Sequence, residues 1–272
     1  MNHGIPSSIP RLWILDLDGV IYRGSELQPH AREFVQHVRS RGDIVRFLTN
    51  KAAHAREEYA ELLTSFGIPT SPNEVMTSGY ATALYLAQSG AAGKTVYRIG
   101  ESGIDRELSA FGFRVIRDGE APNAQIDYVV VGMDRQFNYD KLARAQKAIL
   151  EGAKFIATNE DPTLPVENGG LLPGAGCMVA AVRIATSTEP FVVGKPHTYA
   201  LEKLLESTGV SVEQTVVIGD RLDTDILAGN RIGATTVLVL TGVTTREEAE
   251  KASEELRPDL IIETLGDLLE CT

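Results

Sequence analysis

Leu12-Trp13-Ile14-Leu15-Asp16-Leu17-Asp18-Gly19-Val20-Ile21-Tyr22-Arg23-Gly24 is the stretch that decides how the chain is read. Four consecutive apolar residues predict a strand buried on both faces, and two carboxylates, Asp16 and Asp18, follow directly, closed by Gly19. Acid is thus placed at the carboxyl end of a core strand, the edge of an open α/β sheet where loops converge on ligands. Residues i and i+2 of an extended chain point to one side, so both acids are expected to face one space. Like charges held close raise each other's pKa unless a cation lies between them, which makes a metal the first expectation. On this stretch alone, a strand end followed by an ordinary Asp-Gly turn is an equal reading.

Outward from that stretch the alternation continues. An amphipathic segment over 29–41 is ended by Gly42, and Ile44-Val45-Arg46-Phe47-Leu48 reads as a second strand running into Thr49-Asn50. Helical patterning over 55–66 stops at Gly67 and Pro69. This rhythm predicts a parallel sheet with right-handed crossovers. Strands are expected at 95–99, 127–131 and 154–157 and helices at 104–111 and 139–150, with none of these strands ending in a carboxylate pair. Residues 158–176, rich in Asn, Pro and Gly, read as a functional loop facing the first domain. The first pattern resumes with a strand at Phe191-Val192-Val193 leading to Gly194-Lys195-Pro196, then a helix over 198–206. Thr215-Val216-Val217-Ile218 runs into Gly219-Asp220-Arg221-Leu222-Asp223-Thr224-Asp225, and strands at 237–240 and 260–262 follow. The expected architecture is α/β: a Rossmann-like parallel-sheet core of at least five strands, formed by 1–79 and 184–272, with a smaller α/β domain inserted at 80–183.

Composition narrows the function. The chain has 272 residues and a formal net charge of −11, with no basic run, which argues against nucleic acid and anionic membrane as partners. The opening residues lack the pattern of a secretory signal and no apolar stretch is long enough to span a bilayer, so a cytoplasmic location is expected. Cys177 and Cys271 are too few and too scattered for a disulfide framework or a zinc site, and Cys177 reads as a small buried residue. The five histidines show no ligand spacing, Asp223 reads as a solvated acid, and Gly174-Ala175-Gly176 lacks the third glycine of a dinucleotide fingerprint.

Four expected core strands end in chemistry: Asp-x-Asp, Thr-Asn, Lys and an Asp cluster. Hard oxygen ligands from Asp16 and Asp220 suit Mg²⁺, Lys195 can neutralise phosphoryl oxygens, and the Thr49 hydroxyl can donate to them. One carboxylate can attack phosphorus while a second moves the proton, and Asp16 with Asp18 can divide that labour. Taken singly, Lys195, Asp220, Asp225 and Thr49-Asn50 also fit helix starts, caps and turns.

In these residues the chain resembles the haloacid-dehalogenase superfamily of phosphohydrolases over essentially its whole length. Asp16 to Val20 is similar to the first motif, Thr49 to the second, Lys195 in Gly-Lys-Pro to the third and Gly219 to Asp225 to the fourth. The large insertion between the second and third motifs, with Ala157-Thr158-Asn159 and Leu172-Pro173-Gly174-Ala175-Gly176, looks like the NagD-type branch, which includes para-nitrophenylphosphatases. The resemblance implies a Mg²⁺-dependent hydrolase of small phosphomonoesters such as sugar phosphates, nucleoside monophosphates, phosphoglycolate or para-nitrophenyl phosphate, acting through an aspartyl phosphate. It implies Asp16 as nucleophile, and Asp18 as acid/base and, through its carbonyl, metal ligand. It also implies Asp220 in the metal site with Asp225 in support, and phosphate binding by Lys195, Thr49 and Asn50. It further implies that the insert is a cap whose loop reads the leaving group, with a homodimer through the cap as one assembly. The second motif departs from the branch's usual Thr-Asn-Asn-Ser, since Thr49-Asn50 is followed by Lys51-Ala52; Lys51 either adds an anion contact or points to solvent. A rival of another class is a phosphorylation-controlled receiver-like signalling protein, which also arranges acids, a Thr and a Lys around Mg²⁺ but is much shorter and carries no insert.

Overall fold

The computed structural model describes residues 11–90, 93–117, 119–120, 125–165 and 170–269. Cys271 and positions 166–169 of the expected loop lie outside them. The described residues divide into two compact units. The first comprises the residues up to Thr49, then Ala60–Met76 and those from Lys195 on; the second comprises Asn50–Tyr59 and Thr77–Gly194.

The first unit is built on six strands in the order Leu260–Ile262, Thr235–Val239, Thr215–Gly219, Leu12–Leu15, Ile44–Thr49, Val75–Thr77. The strand Leu12–Leu15 lies inside this sheet, parallel to Thr215–Gly219 on one side and Ile44–Thr49 on the other. All four of its side chains are buried, as a continuous apolar run in a parallel sheet requires. Helix Ala31–Ser40 turns Ala31, Phe34, Val35 and Val38 inward. Phe34 meets the Trp13 ring edge-on at 5.3 Å between centroids. The indole N–H donates to Asp43 Oδ2 at 2.9 Å, while Asp43 Oδ1 takes the Arg11 backbone N–H at 3.0 Å. One carboxylate therefore satisfies both buried donors at the start of the strand.

The second unit has its own parallel sheet, in the order Phe191–Val192, Lys154–Ala157, Tyr128–Val131, Thr95–Ile99, Arg114–Ile116. Its core gathers Tyr97, Val129, Val131, Ile149, Phe155, Val179 and Val182 among others. The expected strand at 191–193 thus joins this sheet beside Lys154–Ala157 and is not part of the first. The reason lies in helix Ala175–Thr186, whose Val179 and Val182 pack in the second core and return the chain to the sheet it left, a strand–helix–strand crossover. Within the expected loop, Thr163–Pro165 and Leu171–Pro173 pair antiparallel. Cys177, expected buried, is exposed: its helix faces the core with Val179 and Val182, which leaves position 177 outward. Among the described residues no helix is long and apolar enough to cross a membrane.

Phe34 fills the space against the first strand, so Phe34→Ala should remove about 3–5 kcal/mol of first-unit stability. The denaturation midpoint followed through Trp13, the single tryptophan, measures it; an unchanged midpoint would contradict this packing.

Candidate active site

Asp16 is the first residue past the strand Leu12–Leu15, and its backbone N–H donates to the Ile218 carbonyl at 2.9 Å. The ladder therefore fixes the backbone just where the side chain leaves the sheet. Asp220 follows Thr215–Gly219 in the neighbouring strand in the same way. Asp225 lies in a single π-helical turn, Leu222–Ile226, that feeds helix Leu227–Ile232, an irregularity frequent at functional sites. Carboxylate oxygens of Asp16, Asp220 and Asp225 lie within 4.8 Å of one another, and all three residues are buried.

Lys195 enters this group. Its Nζ donates to Asp16 Oδ1 at 2.6 Å, to Asp225 Oδ1 at 2.5 Å and to the Leu48 carbonyl at 3.3 Å. Backbone N–H groups hold the acids from behind: Arg221 donates to Asp225 Oδ2 at 3.2 Å and Val243 to Asp220 Oδ2 at 2.8 Å. The turn at Gly19 makes room for Asp220, because Gly19 adopts φ +79° and a Cβ there would stand 2.5 Å from Asp220 Oδ2. Asp16 Oδ2 and Asp220 Oδ1 carry no hydrogen bond among the described residues.

The electrostatics follow from this packing. Burial pushes the Asp16 carboxyl up to about 7; Lys195 pulls it back, and Asp225 and Asp18 push it further up. Burial likewise holds Asp220 well above the usual carboxylate range, with Asp225 and Asp16 adding to it. Burial alone would lower Lys195, yet the two aspartates outweigh it and keep the ammonium charged. Three ionised carboxylates and one ammonium sum to −2, in hard oxygen chemistry that fits a divalent cation such as Mg²⁺.

Of the residues expected from sequence, Asp16, Asp220, Asp225 and Lys195 come together. Asp18 is half-buried and acts on Asp16 through its charge, but its carboxylate is not a member of the three-acid group. Thr49 is buried at the end of Ile44–Thr49, one residue beyond the carbonyl that Lys195 reaches. Lys195 was expected to follow a first-sheet strand, but the strand before it belongs to the second sheet, so three first-sheet strands end in chemistry and not four. Asn50 donates its side-chain amide to Asp161 Oδ1 at 2.9 Å within the second unit. Lys51 is half-buried, and Asp223 is exposed beside Arg221. Sequence reasoning missed the Val243 N–H and the partners of Asn50. A usable signal for the latter was the repeat of Thr-Asn at two strand ends, Thr49-Asn50 and Thr158-Asn159.

The chain matches known families and proteins along most of its length. Residues 13–114 match the family described as haloacid dehalogenase-like hydrolase, and residues 192–268 match the one described as HAD-hydrolase-like. The acid sugar phosphatase of Staphylococcus saprophyticus is 38% identical over 89% of this chain and 91% of its own length. The 5′-nucleotidase YutF of Bacillus subtilis is 39% identical over 94% of this chain and 96% of its own. Among solved structures, the glycerol phosphate phosphatase of Mycobacterium tuberculosis in complex with magnesium superposes with a TM-score of 0.87 at 35% identity. The match covers 95% of this chain and 76% of that one.

The raised carboxyls fix the sign of a pH effect. Without a divalent cation, the folded chain holds protons that the unfolded chain has released between about pH 4 and 7, so stability falls as pH rises through that window. A divalent cation replaces those protons, so millimolar MgCl₂ should raise Tm more at pH 8 than at pH 5. Thermal melts at the two pH values measure this, and an equal gain at both would contradict the assigned charge balance.

Proposed function

The chain belongs to the haloacid dehalogenase-like hydrolases, and from that premise we propose that it is a Mg²⁺-dependent phosphomonoesterase of small metabolites that works through an aspartyl phosphate on Asp16. The observation that carries the reading is the group of three buried acids, Asp16, Asp220 and Asp225, gathered at one sheet edge against Lys195. Asp16 and Asp220 would hold the cation through their carboxylates, joined by the Asp18 backbone carbonyl and supported by Asp225. When bound, Mg²⁺ offsets the surplus negative charge of the site and of the substrate's phosphoryl oxygens, so that an anionic nucleophile can approach an anionic ester.

The protein groups supply the rest. Asp16 Oδ attacks phosphorus as the bond to the ester oxygen breaks, and Asp18 gives its proton to the departing alcohol oxygen. In the second half Asp18 takes a proton from water, whose oxygen attacks the same phosphorus. The bond to Asp16 then breaks, inorganic phosphate leaves and both carboxyls return to their starting states. Lys195, the Thr49 hydroxyl and one amide N–H of Asn50 bind the phosphoryl oxygens. Asp225 keeps Lys195 aimed and charged through its 2.5 Å contact. Asp16 makes its 2.6 Å contact with the same ammonium, which holds its attacking group in one orientation.

The second unit is read as the cap that selects the leaving group, with the paired segments Thr163–Pro165 and Leu171–Pro173 as its reading element. The relatives' names speak of a sugar phosphate, a nucleotide and glycerol phosphate, which supports small phosphomonoesters as the substrate class. We place the enzyme in the cytosol, with neither polymer nor membrane as partner and with a homodimer through the cap as one assembly open to it. The receiver-like reading is set aside because a receiver stops at one acyl phosphate per chain, whereas this site carries a second carboxylate, Asp18, to activate water.

Two measurements test the proposal. Asp16→Asn should lower turnover of para-nitrophenyl phosphate by more than about a thousandfold with the fold intact by circular dichroism; retained turnover would remove Asp16 as nucleophile. Replacing residues 161–168 with a short Gly-Ser linker should change the ranking of sugar phosphates, nucleoside monophosphates and phosphoglycolate. An unchanged ranking would end the assignment of leaving-group selection to this segment.

A further inference from the structure

The second unit contains a buried polar network of which the mechanism above uses Asn50 alone. Asn50 is its hub. The side-chain amide donates to Asp161 Oδ1 at 2.9 Å, and the backbone carbonyl accepts from Ser78 Oγ at 2.5 Å and from Asn159 Nδ2 at 2.7 Å. Asn159 Oδ1 in turn accepts the Asp161 backbone N–H at 3.1 Å. Asn50 and Asn159 are each less than a tenth exposed. A carboxylate can only accept, so Asp161 decides which way the Asn50 amide faces, with its nitrogen toward the carboxylate.

Asp161 is itself held by the Leu-Pro-Gly-Ala-Gly stretch. Its carbonyl accepts the Gly176 N–H at 2.9 Å, and Gly174 donates to the next carbonyl, that of Pro162, at 2.9 Å. Both glycines are required by close approach. A Cβ on Gly174 would fall on the Asp161 carbonyl oxygen and 2.9 Å from the Thr163 nitrogen, and one on Gly176 would collide with the Glu160 carbonyl, with the Asp161 oxygen next at 3.0 Å. Two further links reach the same place. Gly194 donates to the Thr158 carbonyl at 2.8 Å and is the residue before Lys195, while Asn50 is the residue after Thr49. Of the three phosphate-binding residues, Lys195 and Thr49 are therefore each one peptide bond from a member of this network, and Asn50 is a member itself.

We propose that Asp161 is a positioning residue of the phosphate-binding turn: it fixes the Asn50 amide, and through it the Thr49-Asn50 backbone, in the orientation that receives a phosphoryl group. The inference rests on the phosphate site assigned above, and it separates Asp161, first residue of the segment 161–168, from the leaving-group selection given to the paired segments Thr163–Pro165 and Leu171–Pro173. A residue that reads the leaving group changes KM differently for different esters. One that orients the phosphate turn changes affinity for the phosphoryl group itself, and by the same factor for every ester.

The test reads binding and turnover separately. Calorimetric titration of the full chain with inorganic phosphate in MgCl₂ gives a Kd that needs no catalysis, whereas wild-type turnover of para-nitrophenyl phosphate tests the phosphatase reading by itself. Asp161→Ala should weaken phosphate about tenfold, the scale of one lost hydrogen bond to a charged group. KM for para-nitrophenyl phosphate and for a sugar phosphate should rise by that same factor. Asp161→Asn keeps an acceptor for the Asn50 amide and should stay within about threefold of wild type. If Asp161 acts only through Asn50, the double variant N50A/D161A should bind phosphate no more weakly than Asn50→Ala alone. An unchanged phosphate Kd in Asp161→Ala, a KM effect confined to one ester, or losses that add in the double variant would each overturn the proposal. Should Asp161→Ala fail to fold, Ser78→Ala removes another hydrogen bond to Asn50: a rise of about twofold to threefold in phosphate Kd supports the network, and no change refutes it.

Discussion

Three carboxylates buried around a single ammonium form the constraint on which the rest of this structure turns. At an effective dielectric near 20, an opposite-charge pair at 2.6 Å attracts by about 6 kcal/mol, and like charges at 4.8 Å repel by about 3.5 kcal/mol. Lys195 therefore balances most directly Asp16 and Asp225, the two acids it touches, while the Asp220 carboxylate accepts from the Val243 N–H. Such an arrangement persists when a rigid scaffold holds it and a further positive charge completes it. The parallel sheet of the first unit is that scaffold: its strands are laddered on both sides of Leu12–Leu15, and the acids stand just past the strand ends, where the ladder still fixes the backbone.

This explains why the site draws on segments so distant in sequence. Lys195 and Asp16 are 179 residues apart, and each is brought in by its own element. The surplus negative charge calls for a divalent cation, and a cation flanked by a lysine calls for an anionic oxygen ligand. A phosphoryl group meets both demands, and the nucleophile is then an acid already in place. Substrate class and chemistry thus follow from one electrostatic imbalance, while the choice of leaving group is left to other parts of the chain.

Much of this is legible in the residues themselves. Leu12–Leu15 and Thr215–Gly219 are continuous apolar runs that stop at acid, and a run of that kind has few homes other than a buried parallel strand. The readings that fail share a different cause. Phe191-Val192 has the same local pattern whichever sheet it joins, and only the packing of the preceding helix decides. That helix, Ala175–Thr186, is apolar nearly all round, so its pattern does not reveal that Cys177 faces outward. The Asn50 amide finds its acceptor 111 residues away, a pairing no local rule contains. The Gly-Ala-Gly turn reads as a weak nucleotide fingerprint until the structure shows its glycines pressed against the backbone of Glu160 and Asp161.

The most direct measurement of the central claim is the position of the cation. Anomalous scattering from crystals grown with Mn²⁺ in place of Mg²⁺ should give one strong peak per chain between the carboxylates of Asp16 and Asp220, lost in Asp220→Ala. A peak elsewhere in the molecule, or none at a concentration that supports turnover, would contradict the account.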